Sequence, residues 1–124
     1  MQQAEALRRA AVVTGGSRGI GRAVCVELAR AGMDVCVNYA GSAGAAAETV
    51  RLCTQAGARA VAVQADVSTA AGCDALFEAA LAAFGRVDVL VNNAANVALK
   101  DGRVDELTIE IPLRLERQGQ VDSG

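Results

Sequence analysis

The run Thr14-Gly15-Gly16-Ser17-Arg18-Gly19-Ile20-Gly21 has glycines spaced for anion chemistry. Gly15 lets a chain turn sharply off a strand. Gly19 removes a side chain where backbone must meet phosphate, and Gly21 lets a helix pack close to a sheet. A helix that starts here offers unpaired N–H groups and a partial positive charge, which together hold a pyrophosphate. An ordinary strand-to-helix turn can carry the same glycines. The pattern therefore counts only with the elements around it.

A second informative position lies about 20 residues on, at the end of the next strand, where an acid would bind both ribose hydroxyls and exclude a 2′-phosphate. The chain has Asn38-Tyr39-Ala40-Gly41-Ser42 there, and no carboxylate between Asp34 and Glu48. Arg18, in the glycine turn, can reach the same pocket with the paired donors that suit a phosphate dianion. These residues favour NADP(H) over NAD(H); the bland alternative is that Arg18 is a solvated helix-start residue. Further on, Asp66-Val67 follows a third apolar run. A carboxylate at that strand end can accept from an adenine amino group while the Val67 backbone lines the ring. Asp66 can equally cap the next helix with Ser68, and the two roles are compatible.

Four apolar runs, Ala11–Thr14, Val35–Asn38, Ala60–Ala65 and Val87–Asn92, alternate with three helical patterns. The runs are apolar on both faces, as in parallel strands covered by helices on two sides. The spacing predicts helices over Arg18–Arg30 and Ala43–Ala56, and a third after Ser68 as N-cap, ended by Gly85. The order β-α-β-α-β-α-β implies parallel pairing through right-handed crossovers, an α/β doubly wound sheet. It also makes the fourth run, with Val89-Leu90-Val91, an exposed apolar edge. Asp101–Glu110 is polar and can hold one short helix. Beyond Pro112 periodicity is lost, so 1–110 reads as the nucleotide-binding half-domain and 111–124 as a divergent tail without regular structure.

Composition narrows the partners. Net charge is −2 with acids and bases interleaved, which gives no electrostatic case for nucleic acid or an anionic membrane. No apolar run approaches the roughly 20 residues of a membrane helix. Cys25, Cys36, Cys53 and Cys73 form no C-x-x-C pair and the chain has no histidine, so no metal site is assigned. The cysteines read as small core residues in a cytoplasmic, reducing setting.

Thr14-Gly15-x-x-x-Gly19-Ile20-Gly21, then Asp66-Val67, then Asn92-Asn93-Ala94, together resemble the short-chain dehydrogenase/reductase family. From Val12 to about Glu110 the chain is similar to its 3-oxoacyl-[acyl-carrier-protein] reductase-like members. The resemblance implies a Rossmann-type fold and cofactor contacts at Gly15, Gly16, Ser17, Arg18, Gly19, Ile20, Gly21, Asn38, Tyr39, Ser42, Asp66, Val67, Asn93 and Ala94. It implies that Asn92 and Asn93 tie the central sheet to the ribose side. Ala95 stands where the family usually has glycine. The family's activity is hydride transfer between nicotinamide and a carbonyl or alcohol, by a serine, a tyrosine and a lysine four residues after the tyrosine.

No catalytic residue can be assigned. The one tyrosine, Tyr39, has Ala43 four residues on, and the one lysine is Lys100. Ser17, Ser42 and Ser68 belong to the cofactor half and Ser123 to the terminus. The resemblance fades after Glu110, before the family's catalytic and oligomer-forming elements, so the reading is a truncated or frameshifted gene, or a fragment. The competing readings are a stand-alone nucleotide-binding module, a remnant that does not fold stably, and a flavodoxin-like phosphate binder. The Asp66-Val67 and Asn92-Asn93-Ala94 signals speak against the last.

Overall fold

The computed structural model describes residues 8–94, with the backbone of two short strands at 108–109 and 115–116. Five extended segments lie at Ala10–Thr14 (β1), Asp34–Tyr39 (β2), Ala60–Gln64 (β3), Arg86–Val87 (β4) and Val89–Asn92 (β5). Helices span Gly19–Arg30 (α1), Ala43–Gln55 (α2) and Ala70–Phe84 (α3). Two-residue strands follow at Thr108–Ile109 (β6) and Leu115–Glu116 (β7). The main sheet has the order β3-β2-β1-β5-β6. Its first four strands are parallel, as expected, and β6 pairs antiparallel with β5.

Helices cover both faces. Cys25 and Ala29 of α1 and Ala46 and Cys53 of α2 pack on Val13, Val35, Val37 and Val91. Leu76 and Ala80 of α3 pack on Val12, Cys36 and Val87 from the other side. Valine suits these strands because its branched side chain fills a pleated surface buried on both faces. Each fully buried valine contributes about 1.5–3 kcal/mol. The edge strand β3 is the exception to two-sided burial, since Ala62 and Gln64 are exposed. In this order β2 and β3 are added on one side of β1 and β5 on the other, and in such sheets ligands bind beyond the strands' carboxyl ends at that switch point.

Four expectations need correction. The fourth run is two strands, because Asp88 leaves the line to bond Ala10: its N–H donates to the Ala10 carbonyl at 2.8 Å and its Oδ2 accepts from the Ala10 N–H at 2.9 Å. Val87 then pairs with Leu115 of β7, and Val89 onward pairs with β1. Second, β5 is no bare edge, since Val91 and Asn92 are paired with Ile109 and Thr108. Residues 108–109 are thus strand within a stretch read as helix; the rest of 101–110 lies outside the described residues, as does Ala95. Third, two residues of the tail expected to lack regular structure, Leu115–Glu116, form β7. Fourth, Thr69 and not Ser68 caps α3, its Oγ1 accepting from the Gly72 N–H at 2.9 Å.

Candidate functional site

The glycine turn lies between the end of β1 and the start of α1, at the carboxyl end of the sheet. Gly15 and Gly19 have φ of +65° and +62°, the left-handed region where a Cβ is costly. A Cβ on Gly19 would meet nothing within 4 Å, so the space beside it is open to a ligand. Gly21 allows a close approach at the ends of β1 and β5. A Cβ there would collide with the Gly15 carbonyl and come within 2.6 Å of Asn93 Nδ2, so its absence lets the helix start nest against the turn itself. At Gly16 a Cβ would sit 2.9 Å from the Cys25 sulfur.

The N-terminus of α1 differs from the other two. Ser42 caps α2, accepting from the Ala45 N–H at 3.2 Å, and Thr69 caps α3. At α1 the cap position is Arg18, in extended conformation, with no side-chain acceptor on the first turn. A helix leaves its first N–H groups without partners inside the helix. Among the described residues no side chain caps them, no acid occupies the first turn, and Arg18 is exposed beside them. Such a helix start carries a partial positive charge that suits an anion.

A neutral network holds the turn in place. Thr14 Oγ1 accepts from the N–H groups of Asn93 and Ala94 at 2.9 and 3.1 Å. Asn93 Nδ2 donates to the Gly15 carbonyl at 2.8 Å. Asn38 Oδ1 accepts from the Gly15 N–H at 3.2 Å, while its Nδ2 donates to the carbonyls of Ala65 and Val63 at 3.2 and 3.3 Å. Asn38 is 2% exposed. Its amide thus ties β1, β2 and β3 together, and Asn93 ties the turn to β5. These two predicted contact residues act from beneath the site. Thr14 was absent from the sequence-based set, although its place directly before the glycines was the available signal.

A pocket of about 240 Å³ lies above this network, lined by Gly15, Asn38, Ala40, Ala65, Asp66, Val67, Ser68 and Ala94. Complete ligand sites occupy about 300–1,000 Å³, so this pocket is smaller than a complete one. Asp66 is exposed at its rim, with Oδ1 accepting from the Ser68 N–H at 3.0 Å and from the Ser68 hydroxyl. Those bonds hold its carboxyl below the usual range, so it is an ionised acceptor at neutral pH. Val67 is buried behind it. Ser17, Arg18, Gly19 and Ile20 line the open turn beside the pocket and not its wall, and Tyr39 leans the other way onto the α1–α2 core. Ile20 is 65% exposed, the large apolar side chain most open to solvent among the described residues.

The family model for short chain dehydrogenase matches residues 9–111. The chain belongs to the short-chain dehydrogenase family. It is 48% identical over 102 residues to an uncharacterized oxidoreductase of Methylorubrum extorquens, covering 82% of this chain and 40% of that protein. To a 3-oxoacyl-[acyl-carrier-protein] reductase of Synechocystis it is 51% identical over 84 residues, covering 68% of this chain and 34% of the reductase. The chain thus spans roughly two fifths or less of these relatives. A short-chain dehydrogenase/reductase homolog of Bacillus subtilis is different: 46% identity over 89 residues covers 72% of this chain and 82% of that protein. Among solved structures, a dehydrogenase of Burkholderia cenocepacia with bound NADP superposes with a TM-score of 0.68 at 28% identity, covering 77% of this chain and 40% of that one. An NADH-dependent reductase complexed with NAD superposes at 0.67 with 32% identity, covering 74% and 38%. The Rossmann region that binds NAD(P) in this family is therefore the part this chain supplies.

Proposed function

We propose that the chain binds NADP(H) in preference to NAD(H), as the cofactor-binding portion of an oxidoreductase. The observation that carries this is the uncapped α1 N-terminus with Arg18 beside it, facing a strand end without an acid. The nearest carboxylate on β2, Asp34, lies at the opposite end of that strand and is held by two arginines. In this reading the first-turn N–H groups take the pyrophosphate, Arg18 takes the 2′-phosphate, and Asp66 accepts from the adenine amino group. The bound nicotinamide would supply a hydride to or from a carbonyl carbon. The 124 residues contain no Tyr-x-x-x-Lys to deliver the matching proton, so the proposal includes binding without carbonyl reduction. Its four free cysteines and the lack of a membrane-length apolar helix among the described residues are consistent with a cytoplasmic setting.

Calorimetric titration of the chain with NADP⁺ and with NAD⁺ tests the preference. Binding of NADP⁺ at least about tenfold tighter is expected, one charge-assisted phosphate contact's worth. Equal affinities would remove the NADP(H) reading and leave the family's dinucleotide site. Carbonyl-dependent NADPH oxidation by the purified chain would remove the inactive reading.

One observation favours a second reading, a stand-alone nucleotide-binding module: β6 covers the edge of β5. A cooperative melt raised by NADPH supports that module, and no cooperative melt supports a remnant that does not fold.

A further inference from the structure

Two polar side chains meet behind the glycine turn. Arg22 stands one helical turn after Arg18, and Thr49 lies at 0% exposure on the inner face of α2. Arg22 Nη2 donates to the Ser17 carbonyl at 2.8 Å and to the Ala45 carbonyl at 3.0 Å, and its Nε donates to Thr49 Oγ1 at 2.9 Å. The Thr49 hydroxyl has one proton. It goes to the Ser17 carbonyl at 3.0 Å, since the Ala45 carbonyl is farther, at 3.4 Å. Both lone pairs of the Ser17 oxygen are then filled, one by a charged donor.

A planar trans peptide points its N–H opposite to its C=O. Pinning the Ser17 carbonyl toward α2 therefore turns the Arg18 N–H away from α2 and fixes where the Arg18 side chain leaves the turn. Thr49 is a polar residue within an apolar stripe. It occupies the stripe of Ala46, Val50 and Cys53 that packs on the sheet, where valine would bury as well. We propose that Arg22 and Thr49 are positioning residues for the 2′-phosphate site: they set the Ser17–Arg18 peptide so that Arg18 engages phosphate. This rests on the NADP(H) reading above.

The test titrates the full chain with 2′,5′-ADP and with 5′-AMP, probes with and without the 2′-phosphate. Thr49→Val should weaken 2′,5′-ADP binding about tenfold while 5′-AMP binding changes less than about twofold, and Thr49→Ser should restore most of the loss. Arg22→Met should show the same split; if it fails to fold, Thr49→Val, nearly isosteric, carries the test alone. Equal weakening of both probes, or unchanged 2′,5′-ADP binding in a folded Thr49→Val chain, overturns the inference while leaving NADP(H) binding intact. A wild-type chain that binds 2′,5′-ADP no better than 5′-AMP overturns the NADP(H) reading and this inference with it.

Discussion

The two ends of the parallel sheet solve the same problem with opposite chemistry. At the amino end, buried carboxylates are matched by arginines. Asp34 accepts from Arg59 Nη2 at 2.6 Å, Arg8 Nε at 2.8 Å and the Arg59 N–H at 3.1 Å. Asp88 holds Arg86 at 2.7 Å and the Ala10 N–H. Arg59 is further seated over the Phe84 ring, 5.3 Å from its centroid. At the carboxyl end, Thr14, Asn38 and Asn93 lock the strands with neutral groups alone. The amino end relies on buried carboxylates paired with arginines. At the carboxyl end the buried groups are uncharged amides and hydroxyls, so no buried carboxylate opposes the positive potential of the α1 N-terminus and Arg18.

The sharpest way to break this contrast is to put a carboxylate at the neutral end. In Asn38→Asp the introduced carboxyl faces the carbonyls of Val63 and Ala65 and loses both donations. The expected cost is about 2–4 kcal/mol at pH 7. Burial without a positive partner raises the introduced group's pKa, so the penalty shrinks as pH falls and the protonated acid donates to one carbonyl. Urea midpoints at pH 7 and pH 5 measure it; a midpoint at pH 7 equal to wild type would mean the end tolerates charge.

Removing a carboxylate from the charged end comes next. Asp34→Ala strands Arg8 and Arg59, but Arg59 is 63% exposed and can rehydrate. The expected loss is therefore about 2 kcal/mol, below the roughly 3–5 of a fully buried pair. In the wild type, burial pushes the Asp34 carboxyl up, and the bonds from Arg59 and Arg8 outweigh that and hold it below its usual value. Its contribution is complete above the unfolded pKa of about 3.9 and is lost as pH falls through the lower folded value. The variant should lack that acid-side decline in urea midpoint. NADP⁺ affinity per folded molecule should stay within about twofold of wild type, a tie being about 0.4 kcal/mol. A larger drop would show that the two ends are coupled.

Arg18→Ala is a smaller change, confined to the site. It should cost NADP⁺ about tenfold in affinity, near 1.4 kcal/mol, and leave NAD⁺ and the melting temperature unchanged. Equal losses for both dinucleotides would place Arg18 on the pyrophosphate.

How much of this the sequence carried follows a physical line. The glycine turn, the alternation of strands and helices, and Asp66-Val67 are local patterns, and each lies where its spacing put it. Asn38 lies at the end of β2, where the sequence put it, but the direction of its side chain was not legible. Side chains alternate faces along a strand, so one residue separates Asn38, turned inward to three backbone groups, from Tyr39 on the opposite face. The Arg22–Thr49 brace joins two helices that the sequence could not bring together, and only the polar interruption of an apolar stripe marked Thr49. Nothing in the sequence marked Asp34 or Asp88 as buried, since carboxylates are rarely buried unless paired. Their arginine partners lie up to 26 residues away. The pairing of β6 with β5 is likewise non-local.

The helix caps supply the finest comparison, because the molecule contains both versions. Thr69 caps α3 and nothing on a side chain caps α1. Thr69→Ala removes the oxygen that accepts from the Gly72 N–H and should lower stability by about 1 kcal/mol without touching NADP⁺ affinity. Arg18→Asp makes the reverse change, placing a capping acceptor on the open helix. A carboxylate there takes an N–H group and opposes phosphate, so stability should rise by up to about 1 kcal/mol while NADP⁺ affinity falls more than in Arg18→Ala. Urea midpoints and titrations on the two variants read both quantities. If Arg18→Asp leaves stability unchanged, the first turn of α1 already has its partners and the open helix end is not what the glycine turn preserves. If stability rises and affinity falls together, the missing cap is a stability sacrifice that keeps the anion site free.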